Sequence, residues 1–147
     1  MRHISTVVAP ILGAWLFMLV PFWAFPVSAE PEIPATVTQV KLFAAWEDGD
    51  ATGFYRGIVT VPEPGKATFT LQWIAVGPEG QLSEVKHSLP IPEVETLSGL
   101  VIDFRGEVDT QGLTVFIDVQ EAPDVLEETY VLYVDGPDAY TFEGASN

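Results

Sequence analysis

The residues able to do chemistry are few and fall in three places. Glu47, Asp48 and Asp50 crowd around Gly49. Hard cations want several oxygen ligands, and an Asp-Gly-Asp turn can aim two carboxylates and a carbonyl at one point, so these three are the residues that would hold Ca²⁺. The stretch lacks the spacing of an EF-hand loop and its distal bidentate Glu. A solvated turn in which Asp and Gly serve backbone needs accounts for it as well. His87 is the second of 2 histidines and the only one beyond the N-terminal segment. A nucleophilic site would set it between a hydroxyl and an orienting carboxylate, yet no strand–turn–helix elbow frames it, so it reads as a surface strand residue.

The third place is a hairpin. If Thr110-Gln111 is the loop, Asp103 faces Asp118 and Arg105 faces Phe116; if Gln111-Gly112 is the loop, Arg105 faces Asp118. Both registers keep the apolar faces matched, so the inner face does not choose between them. Opposite charges across strands stabilise and like charges oppose pairing, which favours Arg105 against Asp118. Asp103 beside Asp118 would instead form a carboxylate pair for a cation or for acid–base work.

The elements that must position these groups are strands. Ala67, Phe69, Leu71, Trp73 and Ala75 alternate with Thr68, Thr70 and Gln72, a period of two that marks a half-buried strand. Gly77-Pro78-Glu79-Gly80 suits a tight turn, and the less apolar arm from Ser83 to Leu89 returns as an edge strand. Val40, Leu42, Ala44 and Trp46 alternate in a first strand, and Glu47 to Gly53 reads as a sharp acidic loop. Phe54 to Val61 is a second strand, closed by Pro62-Glu63-Pro64-Gly65 with Pro-Gly at the centre of a type II turn. The two prolines of PIPEVETLSG argue for an extended crossing segment. Leu100, Ile102, Phe104 and Val108 point inward on the next strand and Leu113, Val115, Ile117 and Val119 on its partner; Thr129–Asp135 and Ala139–Glu143 complete the set.

About eight short strands with regularly spaced turns predict an all-β fold, an antiparallel β-sandwich of immunoglobulin or fibronectin type III kind, with a small β-barrel as the alternative. Trp73 is placed as an inter-sheet plug would be, and Tyr130, just past a loop, as a tyrosine corner would be. These are loose echoes of fibronectin-like domains, and no motif ties the chain to a family.

Residues 1–29 stand apart. Met1-Arg2-His3 is followed by an apolar run, and Val27-Ser28-Ala29 offers the small residues a signal peptidase reads, so a secretory signal cleaved after Ala29 is expected. The alternative is an uncleaved anchor through residues 4–27, a run long enough to span a bilayer. Residues 30–36 form a linker and 37–147 one domain. All 21 Asp and Glu follow residue 29, against five of the 6 Lys and Arg, a net charge of −16 for the remainder. Such a surface repels phosphate backbones and anionic headgroups, which excludes nucleic acid as a partner. Both Met lie in the leader and Cys is absent, which rules out disulfides, thiolate chemistry and a lipid anchor on sulfur.

The expected function is therefore an exported, acidic, non-catalytic binding or accessory module, periplasmic or secreted, with a protein partner of basic surface. Membrane association would follow only from an uncleaved leader. Ser83, Val85, His87 and Phe116 are the partner-binding residues this reading picks out. Phe43, Phe54, Tyr55 and Phe116 would supply an exposed aromatic patch if they do not enter the core. Two other readings stand beside it, a Ca²⁺-stabilised adhesion-like domain and a small carboxylate-dependent hydrolase.

Overall fold

A computed structural model describes residues 32–145, and the proposed leader and its cleavage site lie outside them. The described part holds eight strands: β1 (Val37–Asp48), β2 (Ala51–Glu63), β3 (Lys66–Val76), β4 (Leu82–Ile91), β5 (Leu100–Asp109), β6 (Gly112–Gln120), β7 (Glu128–Gly136) and β8 (Ala139–Gly144). They form two antiparallel four-stranded sheets, β1-β2-β3-β4 and β5-β6-β7-β8. Among the described residues no helix is long and apolar enough to cross a membrane.

Each sheet takes its strands in chain order, because nearly every connection is too short to do anything but fold a strand back on its predecessor. An immunoglobulin-type order, in which strands from distant parts of the chain become neighbours, is not what these strands adopt. Nor do they join into one closed barrel. Asp48 pairs with Ala51, so the acidic segment is a two-residue turn with Gly49 at φ +60° and not a long loop. Pro64-Gly65 turns as expected, with Glu63 opposite Lys66 and Gly65 at φ +77°. The Gly77–Gly80 turn closes with Gly80 N donating to Gly77 O at 2.9 Å. The segment expected to cross in extended form instead continues β4 to Ile91, then winds into a 3₁₀ turn over Pro92–Thr96 that buries Val94.

The core lies between the inner faces. Ala67, Phe69, Leu71, Trp73 and Ala75 of β3 are buried, as are Leu113, Val115, Ile117 and Val119 of β6. Two other strands depart from simple alternation because each carries a bulge. Ala44 adopts φ +37° and shifts the β1–β2 pairing between Phe43 and Ala45. Phe43 therefore turns inward while Val40 and Leu42 are exposed. In β5 the shift falls between Val101 and Asp103, so Val101 and Phe104 are both buried while Leu100 and Ile102 are exposed; Val108, in phase with Phe104, is exposed near the strand's end. A bulge inserts one residue and reverses the phase of all that follows, which a strict period of two does not anticipate.

The inter-sheet plug is Phe104, not Trp73. Its ring meets Phe69 edge-on at 5.1 Å and Phe43 at 5.9 Å, and it lies over Gly57, where an added Cβ would fall 2.8 Å from its Cζ. Along the β1–β5 side, Gln39 Nε2 donates to Val101 O at 2.9 Å and Lys41 Nζ to Phe104 O at 3.3 Å. Side chains of one sheet thus satisfy carbonyls on the edge strand of the other, which blunts that edge.

The β5–β6 register overturns the charge-based expectation. Asp103 faces Asp118 and Arg105 faces Phe116, with Thr110-Gln111 as the loop. Asp109 Oδ1 accepts from Gln111 N at 2.7 Å, a turn built by the Asp side chain itself, and Gly112 follows at φ +132°. Local turn chemistry outweighs the few tenths of a kcal/mol an opposed ion pair contributes, about 1 kcal/mol at most. Arg105 reaches Asp118 diagonally regardless, Nη1 to Oδ2 at 3.2 Å, with its guanidinium 4.6 Å from the Phe116 ring centroid. Tyr130 makes no tyrosine corner: its hydroxyl donates to the Glu128 carboxylate at 2.8 Å and its ring stacks on Phe142.

Candidate functional site

The register of the β1–β4 sheet sets four rings side by side on its inner face. Phe43 faces Tyr55, Tyr55 faces Trp73, and Trp73 faces His87, one residue from each strand. Their centroids are 6.4, 5.4 and 5.2 Å apart, the last two in edge-to-face contact. Offset and edge-on arrangements are those the ring quadrupole favours, each adding about 0.5–1.5 kcal/mol beyond area burial. Glycines make room: Gly106 of β5 lies under the Phe43 ring, and Gly53 under that of Trp46, where a Cβ would come within 2.6 Å of Cε2.

Tyr55, Trp73 and His87 line a cleft of about 530 Å³, with Trp73 itself buried in the core. Trp46, Glu47 and Asp48 from the end of β1, Ala51 and Tyr55 from β2, Trp73 from β3, and Lys86 and His87 from β4 form its walls; Gly136 and Pro137 at the β7–β8 turn close it. The Ala44 bulge is what brings Trp46 inward, opposite Gly53. Much of the hydrogen-bonding capacity of these walls is already taken up. Trp46 Nε1 donates to Phe54 O at 3.2 Å, and His87 Nε2 stands 3.5 Å from Asp138 Oδ1. The Lys86 ammonium pairs with the Glu84 carboxylate. Burial pushes the Tyr55 hydroxyl above its ordinary pKa, with the neighbouring Trp73 opposing, so the phenol stays protonated at neutral pH.

The sequence-derived residues divide around this cleft. His87, on the edge strand β4, is half-buried in its wall. Glu47 and Asp48 line the cleft as exposed residues, while Asp50 occupies the turn. Among the described residues no three His, Cys, Asp or Glu side chains converge as metal ligands, so the structure does not gather Glu47, Asp48 and Asp50 into a cation cage. Ser83 bonds Ala75 O at 3.2 Å on the edge strand β4. Val85 lies on the outer face opposite Ile74, and Phe116 lies on the other sheet beneath Arg105, so the four predicted partner residues do not share one surface. Of the expected aromatic patch, Phe54 alone is well exposed on the first sheet; with Val85 it covers Ile74, and Val40 and Leu42 lie on the same outer face.

The adjacent carboxylates of Asp103 and Asp118 are each engaged by separate partners. Asp103 pairs with Lys41 and accepts from Phe104 N at 2.7 Å, and these contacts, Lys41 foremost, hold its carboxyl below the ordinary range. Asp118 takes Arg105 and the Thr129 hydroxyl, the latter at 2.7 Å. Both are structural anchors. Trp46, Tyr55 and Trp73 are the site residues that sequence reasoning missed as a group. Their signal was available only through cross-strand register, which the bulge shifts.

A scan against protein-family models, a search of curated proteins and a search of solved structures each gave no significant match.

Proposed function

We propose that this chain is an exported, non-catalytic binding module, periplasmic or released from the cell, and that the aromatic cleft at the β1–β2 end is where it recognises its partner or ligand. The observation that carries this is the row Phe43, Tyr55, Trp73 and His87, crossing a whole sheet and ending in an open cleft. His87, the last ring of the row, stays partly exposed beside the cleft. The cleft also has the size of a small-ligand or side-chain pocket, about 300–1,000 Å³, and its walls mix aromatic, charged and small residues. The carboxylates that would do catalysis are engaged elsewhere in the sheets. As to fold type, we read the two sheets as a sandwich of two consecutive meanders, since the strand order runs against an immunoglobulin or fibronectin relationship.

Ala51 is exposed at the cleft wall and can be enlarged without touching the core. Immobilised wild type and Ala51→Phe, melting at the same temperature, should differ in what they retain from the exported fraction of the producing cell. Retention by wild type alone supports the cleft. Identical retention by both places recognition elsewhere, first on the outer face around Phe54 and Val85.

A further inference from the structure

We infer that two copies of this chain associate face to face through the outer surface of the first sheet, an inference independent of the cleft. Three consecutive cross-strand rows make up the middle of that surface. One holds Val40 and Ile58, the next Leu42 and Arg56, the third Phe54, Ile74 and Val85. Val40, Leu42, Phe54 and Val85 are each 40–49% exposed, while Ile74, between the last two, is already covered. The rows hold no carboxylate, and Arg56 is their one charge. Its guanidinium forks onto Gln72 Oε1 at 2.9 and 2.6 Å and enters no ion pair among the described residues. The far side of the molecule is the reverse. There the outer face of the second sheet carries Asp103, Glu107, Asp109, Asp118, Asp135 and Glu143 against Arg105 alone.

What covers the apolar face follows from charge and area. The chain carries −15, so two copies repel one another in most orientations. Meeting through the carboxylate-free face sets the two acidic faces at opposite ends of the pair, where their repulsion is least. Four strands of about ten residues, about 4.8 Å apart, span roughly 600 Å² before side-chain relief. That approaches the ~800 Å² each partner gives to a standard interface. Closed two-fold pairing is the commonest association of like chains, and sheets stack face to face within about 30° of alignment. With the axis along the strands between β2 and β3, Arg56 of each copy lies over Gln72 of the other and Phe54 over Ile74. The two guanidinium groups therefore do not meet. An anionic membrane would face the same negative charge with Arg56 alone to receive its headgroups.

Sedimentation of the chain as recovered from the producing cell, from about 1 to about 100 μM, tests this. Wild type should pass from monomer to dimer, and at lower concentration in about 0.5 M than in about 0.05 M NaCl, because screening relieves the repulsion between copies. Phe54→Glu and Val40→Glu should each weaken the dimer at least about tenfold, since each sets a carboxylate within the face the dimer buries. Phe54 pairs across Ile74, so Val40→Glu, at a half-exposed position, decides if Phe54→Glu fails to fold. Leu126→Glu adds the same charge at an 89% exposed position in the β6–β7 loop and should leave the dimer unchanged. A wild type that stays monomeric throughout overturns the inference, whatever else the face binds. So does a dimer that survives Val40→Glu, or one that Leu126→Glu weakens as much.

Discussion

Gly57 and Phe104 provide a quantitative check on how the two sheets meet. A methyl at residue 57 would lie 2.8 Å from Phe104 Cζ and 3.1 Å from Cδ2, against about 3.5–4.0 Å for an unstrained carbon contact. Phe104 is 2% exposed and held between Phe43 and Phe69, so it has nowhere to retreat. Gly57→Ala should therefore cost about 1–3 kcal/mol by overpacking. Phe104→Leu loses two edge-on ring contacts of about 0.5–1.5 kcal/mol each together with some buried area. Leu has no atoms at the far end of the ring, so it vacates the space the new methyl needs. The double variant should then be more stable than the sum of the single losses by about 1–2 kcal/mol. Urea unfolding reads this directly: with a slope of about 1–3 kcal/mol per molar, the coupling appears as roughly 0.5–1 M between the observed and additive midpoints. Additivity within about 0.5 kcal/mol would refute the placement of Phe104 over Gly57.

Three further outcomes follow from the charges. Asp103 has its folded pKa lowered, chiefly by Lys41, so its contribution is present above the ordinary value of 3.8 and vanishes as pH falls through the lowered folded value. Asp103→Asn should thus lose at most about 1 kcal/mol at pH 7, because the pair is exposed, and the gap to wild type should close on acidification and in 1 M salt; a gap independent of both would contradict the pairing. Tyr140 has its pKa raised by burial and then by donating to Glu93 at 3.0 Å, so the protonated phenol stabilises the fold fully below the ordinary value of 10.0 and that contribution is lost as pH rises from there through the raised folded value. Melting temperatures between about pH 8 and 11 should fall less steeply for Tyr140→Phe than for wild type, and an unchanged alkaline slope would sink this assignment. Calcium at about 5 mM should leave Tm within about a degree of a salt-matched control, since a native-state ligand must otherwise raise it; a rise of several degrees would restore Glu47, Asp48 and Asp50 as a cation site.

What the sequence made legible was set by how local the determining physics is. The faces of β3 and β6 could be read off because neither strand contains an internal register break on its buried face, and Ala67, Phe69, Leu71, Trp73 and Ala75, like Leu113, Val115, Ile117 and Val119, are buried where a period of two puts them. The turns at Pro64-Gly65 and Gly77–Gly80 were legible for the same reason, since Gly and Pro carry their φ preferences with them. β1 and β5 were not: Ala44 at φ +37° has no marker in the chain, and the shift after Val101 is tied to contacts with the other sheet. The sheet order was closer to reach than it seemed. A succession of tight turns makes each strand pair with the next, which favours meanders over the interleaved order that strand count alone suggested. The cleft stayed hidden because its residues lie on four strands and share only a register. His87 looked solitary in sequence, yet it ends a row that begins at Phe43.

The central claim is that the cleft walled by Trp46, Tyr55, Trp73 and His87 is a binding site. It is tested most directly by passing the exported fraction of the producing cell over immobilised wild type and Ala51→Phe of equal melting temperature, since Ala51 lines that cleft. The account predicts retention by wild type alone. Equal retention by both would contradict it.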